Sequence, residues 1–79
     1  MQKTESYKRC TLDARAHARG DGQGWIAEIS VMRRTSLGMV DKQFMLPETF
    51  PNAAAAVEAA LEAGRRRVDA EVEPEAEIA

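Results

Sequence analysis

A chain of 79 residues, 44% hydrophobic and 30% charged, has room for one small globular domain, and its single cysteine and single histidine exclude an internal disulfide and a four-ligand zinc site. The net charge is −2 but unevenly spread: residues 1–40 hold seven basic against four acidic side chains, a net of +3, whereas residues 69–79 hold five acidic side chains and no basic one. No apolar run approaches the roughly 20 residues a membrane helix needs, and the polar start from Met1 to Ser6 lacks the apolar segment of a secretory signal, so the expected location of a chain with one lone cysteine is the cytoplasm.

A chain of this size buries only roughly 60% of the surface its unfolded form exposes. Such domains commonly rely on disulfides, a metal or a second subunit. With the first two excluded, self-association is the expected support, and no cofactor or metal is expected.

Residues 1–6 read as a flexible N-terminus. From Lys8 to Ala18, Cys10, Leu12, Ala14, Ala16 and Ala18 alternate with Arg9, Thr11, Asp13, Arg15 and His17, the period of two of a half-buried strand. Its apolar residues are small, which predicts the close approach of a helix backbone. Gly20, Gly22 and Gly24 then let the chain reverse. A second strand follows from Trp25 to Met32, with Trp25, Ala27, Ile29 and Val31 on one face and Ile26, Glu28, Ser30 and Met32 on the other. Arg33 to Gly38 reads as a turn. Met39 to Leu46 reads as a third strand, with Val40, Phe44 and Leu46 toward the core. Pro47 is expected to end it, because proline has no N–H for the ladder.

Asn52 is suited to cap a helix, since its side-chain oxygen can accept from an early helical N–H. Ala53, Ala56, Val57, Ala60, Leu61, Gly64 and Val68 then recur at spacings of three and four, one face of an α-helix. Pro74 disfavours helix in the residue before it, so the helix is expected to stop by Glu73, and 73–79 reads as a disordered acidic tail. The predicted class is α+β: a three-stranded antiparallel β-meander with one C-terminal helix packed on one face, a single domain over residues 7–72.

Gly24-Trp25, Phe50-Pro51 and the run Ala60, Ala63-Gly64-Arg65, Val68-Asp69 resemble the markers of a group of short proteobacterial β-β-β-α proteins, over about residues 7–69. The resemblance implies that fold and carries no activity or site residues. The layout is also similar in outline to the sheet-and-helix body of double-stranded-RNA-binding domains and of some antitoxins, although the chain has no motif of either.

Catalytic signals are weak, and an enzyme is not expected. Cys10 and His17 lie seven apart on one strand, so they point to opposite faces and cannot form a nucleophile–base pair within one subunit. The Gly20–Gly24 run precedes a strand and not a helix, so it lacks the helix N-terminus on which a phosphate loop depends. Arg65, Arg66 and Arg67 fan across about 200° of a helix and suit its negative C-terminal end. Arg33-Arg34-Thr35-Ser36 resembles a basophilic kinase site but reads as an ordinary turn.

The sheet face away from the helix has no second layer in this chain. Its candidate interaction residues are Arg9, Arg15, His17, Ile26, Met32, Arg34, Met39 and Met45. Apolar side chains that cluster on an open face mark an interface. The expected function is therefore an interaction module that self-associates or binds a protein partner through this face. The alternative is weak nucleic-acid binding through Arg9, Arg15, Arg33 and Arg34, with His17 assisting. It ranks second because the net charge is negative and no aromatic stacking platform is evident, Tyr7 being the only aromatic residue expected on the polar face.

Overall fold

The computed structural model describes residues 1–78, with side chains through Ala70. Its elements are β1 (Gln2–Tyr7), β2 (Cys10–Ala18), β3 (Trp25–Thr35), β4 (Gly38–Phe50) and α1 (Ala53–Ile78). The strands form one antiparallel sheet in the order β1-β2-β3-β4. The α+β class, the meander and the C-terminal helix are as expected, but the sheet has four strands and not three.

The additional strand comes from the residues expected to form a flexible N-terminus. Tyr7 pairs with Cys10, so Lys8-Arg9 is a two-residue hairpin turn, and both residues sit at positive φ, 45° and 69°. That backbone belongs to the type I′ turn, whose sequence signal is Asn-Gly or Asp-Gly; Lys-Arg carries no such signal. Arg9, assigned to the first strand from its alternation, is in this turn. The loop from Arg19 to Gly24 is closed by an Arg19 N–H to Gly24 carbonyl bond of 3.0 Å. Gly24 is at φ 111° and passes so close to Phe50 that a Cβ there would lie 3.0 Å from the Phe50 carbonyl oxygen.

The core lies between α1 and the inner face of β2 and β3. Leu12, Ile29, Leu61 and Val68 are its largest fully buried side chains, and Ala14, Ala27, Ala56 and Ala60 are fully buried beside them. The predicted helix face of Ala56, Val57, Ala60, Leu61, Gly64 and Val68 is the buried one. The helix approaches the sheet closely at Gly64, where a Cβ would lie 3.1–3.2 Å from side-chain carbons of Ile29 and Leu12. Asn52 caps α1 by accepting the Ala55 N–H at 2.8 Å.

Five further expectations are corrected. The second predicted strand does not end at Met32: β3 runs to Thr35 and pairs with β4 as far as Gly38, so Arg33, Arg34 and Thr35 are strand and not turn. Ala18, at the end of β2, is exposed, because the helix does not reach it. Tyr7 faces the helix and not the polar side; its hydroxyl donates to Asp69 at 3.0 Å. Pro47 does not end the third predicted strand. Between the pairs Ile26–Thr49 and Glu28–Met45, β3 advances two residues and β4 four, so Pro47 falls in a bulge, where a missing ladder donor is tolerated. The helix is assigned past Pro74 to Ile78 and does not stop by Glu73, the flanking residues Glu71, Glu73, Glu75 and Ala76 being good helix formers. The tail expected over 73–79 lies outside the described side chains.

Candidate binding surfaces

The strand register places the outer face row by row. Thr4, Asp13, Ser30 and Gln43 form its middle row. Gln2, Arg15, Glu28 and Met45 lie on one side of it, and Ser6, Thr11, Met32 and Asp41 on the other. His17 and Ile26 are opposite each other at one end of the face, and Arg34 and Met39 at the other. The face thus carries Arg15, His17, Ile26, Met32, Arg34, Met39 and Met45 together, with Arg9 on the turn at its margin.

These residues do not form one patch. The polar middle row separates Met32 and Met39 from Met45 and Ile26. Asp13 is buried, and it accepts from Gln2 at 2.8 Å and from Arg15 at 3.0 Å. Ser30, opposite Asp13, is also buried. His17 Nε2 lies 2.7 Å from the Glu28 carboxylate, which is itself mostly shielded. Arg15 and His17 therefore have acidic partners on the face itself. Cys10 is buried on the inner face, opposite in direction to His17. A buried aspartate at position 13 was not legible in the sequence, because Gln2, one of its two donors, belongs to the strand that was missed.

Among the described residues the exposed large apolar side chains, Met1 apart, lie on one hairpin. Leu37, at the β3–β4 turn, is 99% exposed; Met39, Met45 and Val40, all on β4, are 60%, 56% and 37% exposed. Val40 points to the inner face beyond the cover of the helix, where it pairs with Arg33.

A second surface lies on the inner face, between β4 and α1. It is a cleft of about 470 Å³. Phe44, Leu46 and Pro47 line its strand side, Ala63 and Ala70 its helix side, and Ile29 its floor, with Met45, Arg66 and Arg67 around it. A smaller space of about 270 Å³ adjoins it and shares Leu46, Ala63 and Arg66. The cleft exists because α1 is held toward the opposite edge of the sheet. On the β1 side, Arg65 donates to both oxygens of Glu5 at 2.7 Å, Lys8 donates to Asp69 at 2.6 Å, and Lys3 reaches Glu58 at 3.5 Å. On the β4 side the helix presents alanines, too short to fill the gap. The sequence signal for the cleft was present in Ala59, Ala63 and Ala70 on one flank of the helix, but nothing in the sequence says which flank meets β4.

The arginine triplet divides accordingly. Arg65 binds Glu5, Arg66 donates to Glu62 one turn earlier at 2.6 Å, and Arg67 stacks on Phe44 with its guanidinium carbon 3.8 Å from the ring centroid. The bond to Arg65 holds the Glu5 carboxyl below its usual range, and the bond from Lys8 does the same for Asp69; Lys8 and Arg65 are raised in turn.

Among the described residues no group of three or more His, Cys, Asp or Glu side chains is placed to hold a metal ion. No described helix is long and apolar enough to cross a membrane. Comparison with family models, curated proteins and solved structures finds no match to this chain.

Proposed function

We propose that this chain is a non-enzymatic interaction module that associates with a second copy of itself through the β4 flank of its open sheet face. The observation that carries this reading is the exposure of Leu37, Met39 and Met45, each more than half exposed, along one hairpin, as two apolar spots with Asp41 and Gln43 between them. Met39 and Met45 lie on the outer face, and Met32 lies diagonally across the strand pair from Met39. The core gives a reason for a second copy. Among the described residues twelve apolar side chains are buried and five of them are alanine, so the core is made of small groups, and a partner subunit would add apolar burial. A two-fold axis would bring the same flank of each copy together.

The phosphate-binding alternative has less support. Of its expected contacts, Arg15 is bonded to Asp13 and His17 to Glu28, so a polyanion would have to displace carboxylates from both.

Light scattering behind a sizing column tests the proposal. The expected result is a dimer mass that is retained at high salt, because the contact is apolar, and that falls to the monomer mass in Met39→Ser/Met45→Ser. A monomer at high protein concentration would rule out self-association.

A further inference from the structure

The cleft between β4 and α1 combines an apolar interior with Arg67 at its mouth, beside an Arg66–Glu62 ion pair that is already neutralised. Phe44 and Leu46 face Ala63 and Ala70 across it, above Ile29. Its volume of about 470 Å³ is within the range of small-molecule sites. Arg67 is the polar group that matters most. Its guanidinium carbon lies over the Phe44 ring, 3.8 Å from the centroid. A guanidinium stacked on a ring keeps its N–H groups in its own plane, where they can meet an acceptor at the rim. The two neighbouring arginines are already bonded to Glu5 and Glu62. No carboxylate among the described residues is bonded to Arg67.

We infer that this cleft binds an amphiphilic monoanion, a molecule with one carboxylate on an apolar chain or ring. The carboxylate accepts from Arg67 at the mouth. The apolar body displaces water from Phe44, Leu46, Ala63 and Ala70. Charge complementarity selects an anion over a neutral or cationic amphiphile. The apolar lining selects an amphiphile over an inorganic anion, which would gain nothing from the cleft walls.

Decanoate is a suitable probe, titrated into the full chain and followed by the NMR shifts of its amide and methyl groups. Decanol and decyltrimethylammonium serve as the neutral and cationic comparators. Saturable shifts are expected at Phe44, Leu46, Ala63 and Ala70, below the concentration at which decanoate aggregates. Binding should weaken about tenfold for decanol and for decanoate with Arg67→Gln, the loss expected of one charge-assisted hydrogen bond. Ala63→Leu, which fills the cleft, should abolish it. Shifts that do not saturate, that fall on the outer face, or that are as strong with decyltrimethylammonium as with decanoate would overturn the inference. So would unchanged affinity in Arg67→Gln. The comparator ligands test the charge requirement on the unaltered chain, so a variant that failed to fold would not obscure the answer. The cleft opens on the inner face and shares only Met45 with the outer flank, and its binding is tested on the unaltered chain, so a monomer mass leaves this inference standing and failed decanoate binding leaves self-association standing.

Discussion

At the residue scale, two positions carry stress of opposite kinds. Arg9 holds φ at 69° in the β1–β2 turn, with Lys8 at 45° beside it. A left-handed backbone costs an L-residue about 1 kcal/mol or more, a cost glycine does not bear. Arg9→Gly is therefore expected to stabilise the chain by about 1 kcal/mol, which thermal unfolding would read as a rise of about 4–8 °C. Lys8 is the poorer target because its ammonium is bonded to Asp69. Gly64 is crowded and not strained. A Cβ there would lie 3.1–3.2 Å from side-chain carbons of Ile29 and Leu12, and both of those residues are fully buried and have little room to move. Alanine would gain about 1 kcal/mol in helix propensity, but overpacking a closed core costs about 1–3 kcal/mol. Packing should win. Gly64→Ala is expected to lower the urea midpoint slightly and Gly64→Val to lower it much further; a rise in either would mean that Ile29 rotates away.

At the element scale, β1 is joined to the helix mainly by charge, with Tyr7 its one side chain packed against the apolar core. Its inward residues are Lys3, Glu5 and Tyr7, and each meets a helix side chain: Glu58, Arg65 and Asp69. This arrangement explains why the strand was not legible. Periodicity reports a strand through apolar residues on its buried side, and β1 offers only Tyr7 there, after Lys3 and Glu5. The same arrangement makes the strand sensitive to acid. Glu5 and Asp69 titrate below their usual range in the folded chain, so each contributes stability that is present at neutral pH and is lost as the pH falls through the folded value. Lys8 and Arg65 are raised and stay charged across that window. Glu5→Gln should thus lower the thermal midpoint at pH 7, and the gap from the unaltered chain should narrow as the pH falls below the usual range of a glutamate and Glu5 takes up its proton. A gap that does not narrow with acid would show that Glu5 acts through shape and not charge.

At the scale of the whole molecule, the helix is tied along one edge of the sheet and stands off from the other. That asymmetry leaves two surfaces on β4: an inner cleft with an arginine at its mouth and an outer flank with exposed methionines. If the outer flank joins two copies, unfolding is coupled to dissociation, and the thermal midpoint should rise with protein concentration. In Met39→Ser/Met45→Ser the midpoint should not depend on concentration. A concentration-independent midpoint in the unaltered chain would argue for a monomer.

The amino-acid sequence by itself determined the elements whose burial is apolar and regular. The alternation from Cys10 to Ala16, the inward set Trp25, Ala27, Ile29 and Val31, the capped start at Asn52 and the buried face of α1 all follow from periods of two and 3.6 residues read against hydrophobicity. The outer face followed from the same periods, because what is not inside must point away. Only the tertiary structure decided the fourth strand, the burial of Asp13, the division of labour among Arg65, Arg66 and Arg67, and the cleft. Each of these depends on pairing between residues distant in the chain, and for β1 and Asp13 the partners are polar. A polar side chain is stabilised in a buried or half-buried place by the particular donor or acceptor that meets it, and which one that is depends on the assembled fold.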